Sequence, residues 1–406
     1  MTSPFSRRRL ALLAAALGFA WAGGARADAA DAFNFTVGRS LMRDDNLFRL
    51  SGDADAQALI GTRERGDTVA TTFAGIRFDR TYSRQHLHAR LDARQVRYGR
   101  FGFLDHDARD ARAGWDWVLG RHFFGRIDWS RSESLTDFGD FRTPVQNINT
   151  HERRGGSAHF RLHPAWALGA GAFRIDSDNS SPLRATSRHA AEGREVVLLH
   201  TPRSGNQAAL RLRRTDGRYP NRQFVAGSLV DNSFRQDELE GSLAWRPSGA
   251  SRIEARLAGV RRSHDEVPAR DYAGLTGKLA WDWTISGKTA LNLTARREIG
   301  AQEDILSSYV VTRAISLGPT WTPTAKTLLQ ASAEWRQRDY LGDPVVGLAG
   351  LERRRDSLRI ASLSATWAPI DALQLGLTLR RERRDSNFAG IPYRASTAFL
   401  SAQFSF

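Results

Sequence analysis

From Leu373 onward the chain places Leu373, Leu375, Leu377 and Leu379 on one parity and Gln374, Gly376, Thr378, Arg380, Glu382 and Arg384 on the other. A helix would scatter these residues round its circumference, whereas a strand sorts them onto one apolar and one charged face. The split recurs at Leu87, Ala89, Leu91, Ala93 against His88, Arg90, Asp92, Arg94, and at Ile253, Ala255, Leu257 against Arg252, Glu254, Arg256. It returns at Leu291, Leu293, Ala295 against Asn292, Thr294, Arg296. About eighteen such segments fit between residues 33 and 406. No apolar run after the first turns of the chain reaches the ~18 residues of a membrane helix, so an α-helical membrane protein is excluded.

The connections alternate in length. They are tight around Tyr82, Gly120, His163-Pro164, Pro202, Pro247-Ser248-Gly249, Ser286-Gly287, Pro323 and Pro369-Ile370, and longer and polar at 44–66, 135–150, 218–233 and 340–353. Short turns at one end and long loops at the other describe an all-β, antiparallel, up-and-down transmembrane barrel of about 18 strands, with the turns periplasmic and the loops extracellular. An even strand count puts both termini in the periplasm, and closure removes every free edge. The loops 135–150, 218–233 and 340–353 are long enough to fold inward. Trp117, Trp245, Trp283, Trp321 and Trp367 each precede a tight turn, three of them in Trp-x-Pro, as an interfacial girdle requires.

Residues 1–27 have the layout of a cleavable secretory signal: three arginines at Arg7–Arg9, an apolar stretch from Leu10 to Trp21, and Ala25-Arg26-Ala27. Residues 28–406 then form one barrel domain. The signal carries four arginines and no acid, so the formal net charge of +15 falls to +11 in the mature chain. With export expected, nucleic acid is not a partner; anionic headgroups of outer-membrane lipid or an anionic solute are. The absence of cysteine excludes disulfides and thiolate metal sites. The last strand alternates Ala398, Leu400, Ala402, Phe404 and Phe406 with polar residues up to the carboxylate, and Phe404 and Phe406 are read as the signal to the barrel-assembly machinery.

The polar parity gives the pore-lining candidates Arg90, Asp92, Arg94, Arg126, Asp128, Arg211, Arg213, Arg252, Glu254, Arg256, Arg296, Arg336 and Arg380, joined by Glu298, Glu334 and Glu382. Opposite charges on one face brace the wall; the sharper alternative is a cationic track for an anion. His86/His88 and His159/His163 are spaced to share a face, but no carboxylate or cysteine cluster completes a coordination set, so no metal or other cofactor is expected. No G-x-S-x-G, H-E-x-x-H or phosphate-binding glycine loop occurs, so an enzyme is not expected. Asp44, Asp45, Asn46, Leu47, Phe48 and Arg49 open the first long loop; two acids and an amide there suit calcium or a capped turn, and a solvated turn is the plainer reading.

That loop follows Phe33-Asn34-Phe35-Thr36-Val37-Gly38, and further on stand Asp67-Thr68-Val69-Ala70-Thr71-Thr72-Phe73-Ala74-Gly75-Ile76-Arg77-Phe78-Asp79, Ser286-Gly287-Lys288-Thr289 and Arg338-Asp339-Tyr340-Leu341-Gly342. In order and spacing these motifs resemble the EpsL-like outer-membrane proteins encoded with exosortase-associated exopolysaccharide clusters, over essentially the whole mature chain. The resemblance implies a part in extracellular polysaccharide biosynthesis or export, alongside inner-membrane and periplasmic export proteins, and supplies no catalytic residues. The expectation is a passive conduit for a polysaccharide, carrying carboxylates if the lumen arginines select it. A general small-solute porin and a plugged scaffold are the alternatives.

Overall fold

The computed structural model describes residues 32–141, 143–225, 227–301, 309–342 and 352–406. The signal segment 1–27 lies outside the described residues, as does most of the loop expected at 340–353. The strands are β1 (Phe33–Asp44), β2 (Asp67–Tyr82), β3 (Gln85–Tyr98), β4 (His106–Leu119), β5 (Phe123–Leu135), β6 (Ile148–His163), β7 (Trp166–Asn179), β8 (His189–His200) and β9 (Gln207–Arg218). After a short hairpin of β10 (Gln223–Val225) and β11 (Ser228–Val230) come β12 (Phe234–Ser248), β13 (Ser251–His264), β14 (Tyr272–Ser286) and β15 (Thr289–Ala301). The series ends with β16 (Tyr309–Thr324), β17 (Thr327–Leu341), β18 (Arg355–Ile370), β19 (Leu373–Ser386) and β20 (Tyr393–Ser405).

Apart from β10 and β11, each strand pairs antiparallel with its neighbours in sequence, and β9 pairs with β12 across the hairpin. Nine residue pairs, from Thr36 opposite Ser405 to Asp44 opposite Thr397, join β1 to β20 and close an 18-stranded barrel. The Phe35 and Phe406 backbones exchange hydrogen bonds at 2.7 and 2.9 Å, and their rings stack at 5.9 Å. Closure leaves no unpaired edge, the condition for a sheet to cross hydrocarbon.

Most turns are as tight as the sequence implies, but the one expected around Pro202 is a six-residue connection, 201–206, between β8 and β9. Tyr82 faces Gln85, His163 faces Trp166 and Ser286 faces Thr289, each with two residues between. At Trp-x-Pro the strand runs further than expected: register shifts fall between Trp245 and Ser248, Trp321 and Thr324, and Trp367 and Ile370. The prolines therefore sit in bulges, where their missing N–H costs no ladder bond, and the turns come two residues later. The hairpin β10–β11 and a five-residue helix, α1 (Ala56–Ile60), were not expected; both are too short for a periodic signal.

One parity carries the exposed large apolar side chains, among them Leu41, Leu91, Ile127, Leu212, Leu257, Ile315, Leu363, Leu379 and Leu400. The register aligns them from strand to strand, as in Leu363–Leu379 and Leu41–Leu400. They form the band that faces lipid. Trp117, Trp245, Trp283, Trp321 and Trp367 share that parity at the turn end, and Trp166 joins them from the start of β7.

Deleting Phe406 removes two seam hydrogen bonds, about 1 kcal/mol each, and a ring contact of about 1 kcal/mol. The urea midpoint of the folded, heat-modifiable band should fall correspondingly; an unchanged midpoint would show that the seam does not depend on this residue.

Candidate channel site

All thirteen pore-lining candidates lie on the parity opposite the apolar band, so the structure brings them to the inner wall. Most are engaged there by carboxylates. Arg90 meets Asp92 at 2.6 Å, Arg94 meets Asp110 at 2.5 Å, Arg211 meets Glu240 at 2.6 Å and Arg213 meets Glu195 at 2.9 Å. Arg252 meets Glu254 at 2.5 Å, Arg296 and Arg336 share Glu334 at 3.0 and 2.5 Å, and Arg380 meets Glu382 at 3.0 Å. Arg126 pairs with Asp116, and Asp128 with Arg153. These pairs brace the wall. Exposed as many are, each contributes at most about 1 kcal/mol.

Register adds an arrangement that no single segment contains. Arg77, Arg90 and Arg112 stand opposite one another on β2, β3 and β4. Arg256, Lys278 and Arg296 do the same on β13, β14 and β15. Counting along the paired strands, β14 is the ninth from β3 in a ring of eighteen, so the two cationic rows occupy facing walls. Arg77, Arg90, Arg256 and Arg296 have carboxylate partners; among the described residues Arg112 and Lys278 show none. Directly opposed like charges destabilise a sheet, so each row is a place where an anion would be welcome.

The bore is not left clear. The loop between β5 and β6 carries Asp140 to Arg338 on β17 at 2.6 Å and to Arg384 on β19 at 3.1 Å. Arg384 also donates to the Gly139 carbonyl. β17 is eight strands and β19 six strands round the ring from β5, so the loop folds into the lumen and is tied to the wall beyond it. Behind the latch Asp356, also buried, accepts from Tyr340 at 2.9 Å and from Arg354 at 2.7 Å, and Tyr393 donates to Glu382. Burial alone would raise the Asp140 carboxyl, but Arg338 and Arg384 outweigh it and hold it below the ordinary carboxylate range. The expectation that loop 135–150 can fold inward is met; Asp140, Arg338 and Arg384 were not singled out as site residues, because their partnership spans the barrel.

The motif opening the first long loop is not a solvated turn. Asp44 is buried and accepts from the Asn46 backbone and from Arg49, both at 2.9 Å; Asn46 donates to the Leu50 and Arg394 carbonyls at 2.8 and 2.9 Å. Asp45 accepts from the Ser396 backbone, tying the loop to β20. Leu47 and Phe48 enter an apolar cluster with Leu50, Phe101, Leu104 and Phe138, in which Phe48 is fully buried. The acids thus cap a turn, and Phe138 fixes the near end of the crossing loop. At the seam Phe404 faces outward and Phe406 stacks on Phe35.

His86 and His88 do share the inner face. The carboxylate that the local sequence lacks comes from across the ladder, where Asp116 is the register partner of His86. Donor atoms of His86, His88 and Asp116 lie within 4.8 Å of one another. Asp79 takes the other His86 nitrogen at 2.8 Å and Arg126 holds Asp116, which makes the group a chain of ion pairs. Gly114 leaves room for the His88 ring, which any Cβ there would strike.

No protein-family model and no curated protein sequence matches the chain. Solved structures do. The crystal structure of OpdK from Pseudomonas aeruginosa with vanillate matches with a TM-score of 0.51 at 12% identity, covering 92% of this chain and 99% of the other. OccK9 (OpdG) of the same organism matches at 0.51 and 13%, covering 92% and 98%. OccK2 (OpdF) in complex with glucuronate matches at 0.50 and 12%, also covering 92% and 98%. The chain therefore has the fold of these outer-membrane proteins, a closed 18-stranded antiparallel barrel.

Asp140→Ala removes the carboxylate that Arg338 and Arg384 share and leaves Arg384 only its longer carboxylate contact, to Asp356 at 3.8 Å, a loss of about 3 kcal/mol for largely buried arginines. In planar bilayers the variant should conduct more than the parent at neutral pH. Because the folded pKa of Asp140 is depressed, the latch is fully present above its unfolded pKa and fails only as pH falls through the folded value, below the ordinary carboxylate range. Parent conductance should therefore rise only in strong acid, and a rise already at pH 6 would contradict the assignment.

Proposed function

We propose that the chain is an outer-membrane channel for small anionic solutes, carboxylates foremost. The observation that carries this reading is the pair of facing cationic rows, Arg77–Arg90–Arg112 and Arg256–Lys278–Arg296, in a lumen that a crossing loop narrows. Guanidinium binds carboxylate bidentately, and charged constrictions select by sign. Transport is passive: the rows draw the anion in, and the neighbouring Asp92, Glu240 and Glu334 compete for the same cations, keeping it from binding too tightly to leave. The neighbours solved with vanillate and with glucuronate hold small carboxylates, which is consistent with this class of solute. In this reading the long loops are extracellular and both termini periplasmic, and Phe404 and Phe406 are what the assembly machinery binds.

The polysaccharide reading rests on the resemblance to EpsL-like proteins. Two observations weigh against a polymer conduit: the loop latched across the bore, and the spending of the Asp44–Arg49 motif on a buried turn rather than on a ligand. A part in polysaccharide production is compatible with a channel that passes the acidic monomer or oligomer rather than the chain.

Reversal potentials in a potassium chloride gradient test the proposal. The parent should be anion-selective, and Arg112→Glu with Lys278→Glu should shift it toward cations. Glucuronate should interrupt the current at lower concentration than a long acidic polysaccharide; cation selectivity in the parent would sink the reading.

A further inference from the structure

The outer face carries arginines that neither the channel nor the fold requires. Arg359 on β18, Arg383 on β19 and Arg394 on β20 are consecutive register partners on the lipid-facing parity, all exposed. Arg381 lies one step nearer the middle of the band, beside Ala361, and Arg43 lies beside Ala398. Among the described residues Arg359, Arg381 and Arg394 show no carboxylate partner; Arg383 meets Asp385 at 2.9 Å, and Arg43 donates to the Thr68 hydroxyl.

The sector from β5 to β12 is built otherwise. There most outward arginines at the same end are neutralised in place: Arg131 by Glu133, Arg154 by Glu152, Arg174 by Asp176 and Glu192, Arg214 by Asp237 and Arg235 by Asp216, while Arg194 and Arg218 show no carboxylate among the described residues but alternate along the ladder with acids rather than forming a row of three. Three adjacent arginines on a ladder repel one another, so the row β18–β20 calls for an anion supplied from outside the chain.

What lies below the row says what kind. A groove of about 820 Å³ runs down the outer wall between β17 and β20, lined by Ala331, Ala333, Ala361, Leu363, Leu379 and Ala398, with Arg43 and Arg381 at its rim beside Asp45, whose carboxylate is engaged by the Ser396 backbone. Small side chains on three strands make a furrow that an acyl chain fills. On β18 the row stands eight residues from the girdle residue Trp367, which is about 26 Å along the strand and about 20 Å across the band at a tilt of about 40°. Arginine side chains reach the remaining distance to headgroup level.

We infer that Arg359, Arg383 and Arg394, with Arg381 and Arg43 beneath them, form a binding site for a phosphorylated lipid of the outer leaflet, whose acyl chain lies in the Ala331–Leu379 furrow. The inference rests on the reading of the chain as an outer-membrane barrel with its long loops outside. A free anion would satisfy the charge alone; the furrow under the row commits the site to a lipid.

The test uses the complete barrel in mixed micelles, with bisphosphorylated lipid A and its dephosphorylated form as probes. The parent should bind the phosphorylated lipid at least about tenfold more tightly. Arg359→Gln, Arg383→Gln and Arg394→Gln together should abolish that preference, while Arg174→Gln with Arg214→Gln keeps it. Equal binding of both lipids by the parent, preference retained in the triple variant, or full competition by millimolar inorganic phosphate would each overturn the site. Failure of the parent to give a heat-modifiable band in zwitterionic vesicles would instead remove the barrel reading on which it stands.

Discussion

The closed backbone ladder is the constraint on which everything else depends. In hydrocarbon an unpaired amide costs several kcal/mol, so the sheet is viable only if its last strand returns to its first. The β1–β20 seam meets that condition with nine residue pairs and the Phe35–Phe406 contact. Once closed, the ring admits no slip: moving any strand by one residue would turn its leucines to the water and its arginines to the lipid. The alternation of side chains and the closure of the backbone therefore enforce each other.

A barrel of this circumference is wide enough for an aqueous channel, and the loops supply what the wall cannot. The loop after β5 is held by a single anchor with two ends, Phe138 in the apolar cluster round Phe48 and, two residues on, Asp140 against Arg338 and Arg384. The first end is gained by burial and the second by charge, so the two respond to different conditions. The Asp44–Arg49 turn belongs to the first: by capping itself and bonding to β20 it gives Leu47 and Phe48 a fixed direction into the cluster.

Parity was legible in the sequence, because it is a local property: Leu373 to Leu379 and Arg380 to Arg384 declare their faces without help from elsewhere. So were the tryptophan girdle and most of the turns, though at Trp-x-Pro the proline marks a bulge just ahead of the turn. Register was not. Arg90 and Arg112, or Arg256 and Lys278, are neighbours only because their strands align in one way among several compatible with the pattern. Asp140 and Arg384 lie 244 residues apart and meet across the bore. The carboxylate beside His86 and His88 was invisible for the same reason, being thirty residues away on the next strand. Where the motif at Asp44 suggested a ligand, the missing information was burial, which no spacing of acids reveals.

The choice of cation follows from where the charges sit. Only Lys278, Lys288 and Lys326 are lysines among 59 basic residues. Two of these stand at the turns, where Lys288 and Lys326 donate to the Pro323 and Pro369 carbonyls at 3.1 and 2.7 Å. The ammonium is a strongly hydrated point charge, at home at a wet rim. Along the wall and at the edge of the lipid band, a cation must lie flat against a surface, share one carboxylate with a neighbour and give up part of its water. The planar guanidinium does this at lower cost and offers two parallel donors to whatever acid arrives. Both cationic sites, inner and outer, are consequences of placing that group on a ladder whose register permits no escape from its neighbours.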